Sequence, residues 1–169
     1  VAIQLGAIGA VLYMYWKRIF TIPMIKRLIV AFVPTGIAGF LIYPHIKALL
    51  TNPLIVGISL FVGGIIILFV ENMYYKAQGR GETKLHHDVS LKQAFLLGLY
   101  QVLAIIPGVS RSGSVIVGGL LMKLDRSMLT EFTFLLAVPT MSAATAYSLY
   151  KHADVVFQTS NLSALAVGM

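Results

Sequence analysis

The sequence predicts an all-α, polytopic membrane bundle that contains one re-entrant helix–loop–helix, and three observations carry that prediction. Of 169 residues, 58% are hydrophobic and only 11% are charged, where an ordinary soluble domain has about a quarter charged. Apolar runs of near-spanning length recur along the chain, giving a mean hydropathy of +0.86, and runs of this kind read as membrane helices. One of the most apolar stretches is broken by Pro107-Gly108-Val109-Ser110-Arg111-Ser112-Gly113-Ser114, which sets an arginine among three serines and two glycines.

The elements follow in order. The first, Val1–Trp16, is closed by Lys17 and Arg18, with Tyr13, Tyr15 and Trp16 placed as an aromatic belt. The second covers Leu28–Tyr43 behind Lys26 and Arg27, and Pro34 with Gly36 marks a kink that neighbouring helices can accommodate. Thr51-Asn52-Pro53 is a turn that opens the third, Leu54–Tyr75. Lys76–Lys92 is the only long polar stretch, with Gly79, Gly81 and the pair His86-His87. Gln93–Ile106 and Val115–Met122 then flank the serine-rich loop. At 1.5 Å per residue they reach about 21 and 12 Å, short of the roughly 30 Å hydrocarbon core, so a hairpin fits better than two spans. The rival is one helix kinked at Pro107. Phe132–Tyr150, with Pro139 inside, is the fifth segment. The chain opens at Val1 within an apolar helix and closes at Met169 partway through a run that begins near Leu162. Both ends read as cut, and the expected organisation is a single incomplete transmembrane domain over residues 1–169.

Charge placement supports the hairpin. With loops 17–27, 76–92 and 123–126 on one side, ten Lys and Arg gather there (Lys17, Arg18, Lys26, Arg27, Lys76, Arg80, Lys84, Lys92, Lys123, Arg126), against Lys47 and Lys151 on the other. If 93–122 crossed fully, Lys123 and Arg126 would change sides and the bias would shrink, so the positive-inside rule favours re-entry. The net charge of +7 is therefore topological. It forms no basic groove with stacking aromatics, and nucleic acid is not an expected partner. The absence of Cys excludes disulfides and thiolate chemistry.

An arginine inside a membrane costs about 2.5–3.5 kcal/mol at a helix centre on insertion scales, so a chain that keeps one is using it. The ligand best suited to this loop is a phosphate: guanidinium binds its oxygens in pairs, hydroxyls donate, and glycines let backbone N–H groups approach. Candidate binding residues are Ser110, Arg111, Ser112, Gly113 and Ser114. The serines have a second reading as helix caps, which Ser114 would satisfy equally well. Gln101 either orients the loop or makes a plain interhelical hydrogen bond. Glu71 and Glu131 either serve the site or pair with a loop cation near the interface. His86-His87 reads as a solvated loop, since adjacent histidines do not share a helix face. Gly63-Gly64 and Gly118-Gly119 read as close helix packing.

Three stretches carry a resemblance. Gln93-Ala94-Phe95, followed by Gln101-Val102-Leu103-Ala104-Ile105-Ile106-Pro107-Gly108-Val109-Ser110-Arg111-Ser112-Gly113, is similar to the second signature of the bacitracin-resistance-type undecaprenyl-pyrophosphate phosphatases. Val1–Ala7 resembles that family's early helix, and Glu131-Phe132-Thr133-Phe134-Leu135-Leu136-Ala137-Val138-Pro139 the helix after the signature. The resemblance extends over essentially the whole chain. It implies an enzyme of the bacterial cytoplasmic (inner) membrane that hydrolyses undecaprenyl diphosphate to the monophosphate and phosphate, recycling a lipid carrier of cell-wall synthesis and conferring bacitracin resistance. It further implies an inverted repeat in which two re-entrant hairpins form one site. Arg111 would be the catalytic residue supplied here, clamping the diphosphate, with Gln101 and Glu131 behind it. Paired glutamates, a serine and a histidine belong to a first hairpin upstream of Val1, so these 169 residues alone are expected to be inactive. A divalent cation such as Mg or Ca is suggested by the resemblance alone, and no residue here has metal-ligand spacing. The family usually has Thr where this chain has Val115.

Two other functions compete. A phosphatase of the type-2 phosphatidic-acid class needs a histidine nucleophile, and the only histidine after Arg111 is His152, without matching spacing. A transporter or flippase for an anionic lipid or solute would also use a broken helix with a buried arginine. The topology is testable in the full-length protein, to which these 169 residues contribute no cysteine. Cysteines at Gly79 and Lys123 should react with an impermeant thiol reagent only from the cytoplasmic side, and one at Thr51 only from outside. Labelling of position 123 from outside would mean that 93–122 crosses the membrane.

Overall fold

In the computed structural model, which describes residues 4–50, 52–79 and 88–151, every regular element is helical. Six α-helices follow one another: α1 (Gln4–Ile19), α2 (Ile22–Leu50), α3 (Pro53–Gly79), α4 (Leu91–Val102), α5 (Arg111–Leu121) and α6 (Arg126–Lys151). A 3₁₀ turn at Leu103–Ile105 prolongs α4. Among the described residues three helical stretches, Ile22–Ile42, Pro53–Gly79 and Arg126–Lys151, are long and apolar enough to cross a membrane. Large apolar side chains such as Phe40, Phe61, Leu68 and Phe69 are exposed on α2 and α3, as expected of surfaces meant for lipid. The protein is an all-α membrane bundle.

Several helices begin earlier than apolarity alone placed them. α2 starts at Ile22 rather than Leu28, so Lys26 and Arg27 ride on its first turns, and the loop contracts to Phe20 and Thr21. Pro23 suits that position, because the first N–H groups of a helix have no intrahelical acceptor to lose. α3 begins at Pro53, with Asn52 Oδ1 accepting from the Leu54 N–H at 3.0 Å. α4 begins at Leu91 rather than Gln93, because Ser90 and Gln93 form a reciprocal capping box: the Gln93 N–H donates to Ser90 Oγ, and the Ser90 N–H to Gln93 Oε1. α6 begins at Arg126 rather than Phe132, where Asp125 Oδ1 accepts from the Met128 N–H at 2.9 Å. α2 continues through Pro34 and Gly36 as one helix. α1 bends at Tyr15 (φ −115°, ψ 16°), next to its basic end.

The centre of the bundle is a hairpin. α5 turns back on α4, close enough that a Cβ on Gly118 would strike the Tyr100 side chain. A single helix kinked at Pro107 is therefore excluded. α2 covers α4, α3 covers α5, α6 packs on both α5 and α2, and α1 lies outermost on α6. Leu97, Val115, Leu120, Leu129, Phe132 and Leu135 fill the space between these helices.

Three ion pairs gather at one end. Arg18 reaches Glu131 at 2.9 Å, Arg27 reaches Asp88 at 2.6 Å, and Arg126 reaches Glu71 at 2.7 Å. Both feet of the hairpin, Asp88 and the turn before Arg126, thus stand beside the α1–α2 connection and the latter part of α3. This is the grouping on which the charge count rests. Arg80, Lys84, His86, His87 and His152 lie outside the described residues.

Glycine has two different meanings here. At Gly98 a Cβ would collide with the Ala31 carbonyl, so the backbones of α4 and α2 touch directly. Gly118 and Gly119 are likewise packed, but Gly63-Gly64 meets nothing within 4 Å. The packing expected of that pair is not found among the described residues, where a Cβ at either glycine would meet open space. In the full-length protein Gly98→Ala should destabilise by about 1–3 kcal/mol, the scale of forced overpacking. Gly63→Ala should stay within about 0.5 kcal/mol. Thermal inactivation in detergent compares the two.

Candidate functional site

The tip of the hairpin is a sequence of local solutions to one problem, a backbone reversing among apolar helices. Ile106 turns extended (φ −68°, ψ 126°) and ends the 3₁₀ turn. Pro107 and Gly108 then occupy the two central positions of a β-turn closed by the Val109 N–H donating to Ile106 O at 3.1 Å. Pro at the first and a positive-φ residue at the second are the requirements of type II, and Gly108 has φ 92°. No side chain could replace that hydrogen: a Cβ would run into the carbonyl of Val56 on α3, beside Ser59. Val56 lies about 30 Å along α3 from Lys76, at 1.5 Å per residue. The tip therefore stands far from the ion-paired end.

The helix that follows starts at Arg111, four residues before the sequence reading placed it. Arg111, Ser112, Gly113 and Ser114 are its first turn rather than loop. The reason is Ser110, whose extended backbone (φ −68°, ψ 120°) and Oγ accepting from the Gly113 N–H at 3.1 Å make it the N-cap. Ser114, the expected alternative cap, instead donates its hydroxyl to Ser110 O at 3.0 Å, and its N–H goes to the same oxygen. Of the four N–H groups that a helix start leaves without intrahelical partners, those of Ser110, Arg111, Ser112 and Gly113, the Gly113 one is engaged by Ser110 Oγ. Those of Arg111 and Ser112, in the first turn itself, meet no acceptor among the described residues. Ser110 and Ser112 are exposed, their hydroxyl oxygens 3.3 Å apart.

Arg111 is half-buried against α6. Its Nη1 donates to Thr140 Oγ1 at 3.3 Å, and its Nη2 lies on Met141 Sδ at 2.8 Å. Both partners are neutral, and among the described residues no carboxylate forms an ion pair with it. Every other arginine with a described side chain has one. The arrangement is a cation at a helix N-terminus, with two exposed hydroxyls and two backbone donors beside it. Such a set of donors is able to receive an anion.

The remaining candidates separate from this cluster. Gln101, 2% exposed, donates its Nε2 to Thr35 Oγ1 at 2.9 Å, and Thr35 donates on to Gly98 O at 3.1 Å. Of its two readings the interhelical hydrogen bond is the one formed, and it fixes the upper part of α4 on α2. Glu131 pairs with Arg18 and lies about 13 Å along α6 from Thr140, at 1.5 Å per residue. Glu71 pairs with Arg126. A cleft of about 570 Å³, lined in part by Tyr15, Tyr74, Asp125, Arg126, Glu131 and Phe134, opens at this ion-paired end, away from Arg111. Val115, where the resemblance expects Thr, is fully buried and adds no hydroxyl to the exposed face.

Sequence reasoning missed Thr35, Thr140 and Met141. Two of them carried a signal, as lone hydroxyls directly beside the intrahelical prolines Pro34 and Pro139; Met141 carried none. The divalent cation suggested by the resemblance finds no donor set around Arg111, where the side chains are hydroxyls and a thioether beside a fixed cation. Among the described residues no group of three His, Asp or Glu converges.

Comparison with known proteins adds the following. The sequence matches the family model described as bacitracin resistance protein BacA over residues 1–169. Relatives named undecaprenyl-diphosphatase include one from Campylobacter fetus subsp. fetus (strain 82-40), 49% identical over 94% of this chain and 61% of its own length. Another, from Aquifex aeolicus (strain VF5), is 49% identical over 89% of this chain and 59% of its own. A third, from Persephonella marina, is 48% identical over 99% and 65%. The chain spans about six-tenths of the length of these curated relatives.

The cap has a consequence that separates Ser110 from Ser112. Ser110→Ala should destabilise by about 0.5–2 kcal/mol, the usual loss of an N-cap, and speed hydrogen exchange at the Gly113 amide. Ser112→Ala should leave both unchanged.

Proposed function

This chain belongs to the bacitracin resistance protein BacA family, and from that premise we propose that it supplies the diphosphate-binding hairpin of a membrane hydrolase. The substrate class is a polyprenyl diphosphate, and the reaction is hydrolysis of undecaprenyl diphosphate to undecaprenyl phosphate and inorganic phosphate. The observation that carries this reading is Arg111: a permanent cation at the start of α5, held by Thr140 and Met141 and by no carboxylate.

The chemistry follows from charge. When water's oxygen bonds to the terminal phosphorus, the P–O–P bridge breaks and negative charge spreads over the transferred group and the departing lipid phosphate. A guanidinium beside those oxygens offsets that charge, and its planar fork fits two of them at once. The free N–H groups of Arg111 and Ser112, the Ser110 and Ser112 hydroxyls and the α5 dipole add donors that need no rearrangement during reaction. A tip far from the ion-paired end would meet the headgroup within the membrane, with the isoprenoid running along the apolar outer faces of α2 and α3. The group that activates water belongs, on this reading, to a second hairpin related to this one by an inverted repeat. Ser110 and Ser112 face outward, as such a partner would require. The expected setting is the bacterial cytoplasmic membrane, with the ion-paired end toward the cytoplasm.

Arg111→Ala in the full-length protein should lower turnover by about a hundredfold or more, the scale of losing one preorganised donor. Arg111→Lys should fall between, because it keeps the charge and loses the fork. Phosphate release from a polyprenyl diphosphate in detergent micelles is the measurement. Near wild-type release by a folded Arg111→Ala protein would overturn the clamp, and lipid binding without any release by the wild type would overturn the hydrolase.

A further inference from the structure

We propose that Thr140 and Met141 form a neutral two-point cradle that fixes the plane of the Arg111 guanidinium without cancelling its charge, Thr140 being the positioning residue. The proposal deepens the hydrolase reading and rests on it for its kinetic consequence.

The geometry is specific. Thr140 is buried, 9% exposed. Its one hydroxyl proton is committed to its own helix, where Leu136 O lies at 2.8 Å and Ala137 O at 3.1 Å. Toward Arg111 the oxygen can therefore only accept. Its position one residue beyond Pro139 keeps it on the stretch of α6 that faces the start of α5. Met141 Sδ, a weak acceptor without a proton, meets the other terminal nitrogen at 2.8 Å. Two contacts on two different nitrogens define the plane of a rigid group. Of the five guanidinium N–H donors, two are used in this way and three remain, their directions set.

The choice of partners matters as much as the contacts. A carboxylate would hold the arginine more tightly, as Glu71 holds Arg126 with both Nε and Nη2 on one oxygen. It would also neutralise the cation and compete with an incoming phosphate. A hydroxyl and a thioether orient the group and leave its field intact. The same bundle thus treats its arginines in two ways, pairing those at the base with acids and holding the one at the tip with neutral atoms.

The test uses the full-length protein and two readouts. In phosphate release, Thr140→Val should lower kcat about tenfold with KM little changed, the scale of one hydrogen bond to a charged group, and Thr140→Ser should restore it to within about threefold. In an Arg111→Ala background Thr140→Val should cost nothing further, because the two act as a unit. Equal losses with and without Arg111 would overturn the cradle. The second readout needs no activity: phenylglyoxal modification of Arg111, followed by peptide mass spectrometry, should be severalfold faster in Thr140→Val and unchanged in Thr140→Ser. An unchanged rate in Thr140→Val overturns the cradle whatever the phosphate assay gives. A wild type that releases no phosphate defeats the hydrolase reading, and the modification rates then decide the cradle alone.

Discussion

A chain that reverses direction among apolar helices has no water to satisfy the backbone groups it exposes, and this constraint organises the molecule. The answer at the tip is local. Ile106 O receives the Val109 N–H, Ser110 caps Gly113, and Ser110 O takes both donors of Ser114. Behind the tip, Gln101 and Thr35 pass a hydrogen bond across to Gly98 O, tying α4 to α2 where their backbones already touch. The N–H groups of Arg111 and Ser112 meet no acceptor among the described residues, and they lie beside the one arginine with a described side chain that has no acid. The candidate site is what remains after the folding requirement has been met.

Electrostatics divides the bundle along its length. At the base, three acids and three arginines join α1 to α6, α2 to the foot of α4, and α3 to α6. Arg18 and Arg126 are substantially exposed, and pairs of that kind contribute about 0–1 kcal/mol each. Their value is in register more than in stability, since a charged pair does not slide into hydrocarbon. At the tip the logic reverses: among the described residues Arg111 meets a hydroxyl and a thioether, which leave its charge uncompensated.

Much of this was legible in the residues, and the failures have a common cause. Apolar periodicity located the helices, and the mismatch of two short segments with bilayer thickness identified the hairpin. Pro107-Gly108 marked its turn. Apolarity alone sets helix starts too late, at Leu28, Gln93, Val115 and Phe132, because polar residues of a first turn look like loop. Ser90-Leu91-Lys92-Gln93 is a capping box in plain view, and Ser110 and Asp125 cap the helices that start one residue later. For the site, Arg111 stood out because a cation in apolar sequence is conspicuous, and Ser110 because its neighbours were. Met141 did not, since a methionine in an apolar helix looks like packing until a guanidinium is found against it. Gly63-Gly64 failed for a different reason: the motif describes what two glycines permit, and among the described residues no neighbour of α3 makes use of it.

The capping box at Ser90 and the hydrogen bond from Gln101 to Thr35 turn the first strut of the hairpin into a measured length. Its foot is held by Asp88 on Arg27, and near its top it is held by Gln101 and by Gly98 on Ala31. Between those fixings the residue count admits no adjustment. One residue more or less would rotate everything beyond it by about 100° and shift it by about 1.5 Å. Gln101 would then point away from Thr35, and a side chain would be driven onto the Ala31 carbonyl. Substitutions along α4 can be absorbed one contact at a time, whereas insertions and deletions there are all-or-nothing. The depth at which Arg111 is presented is thus written in the number of residues from Ser90 to Gln101 as well as in the identity of those that fix its ends.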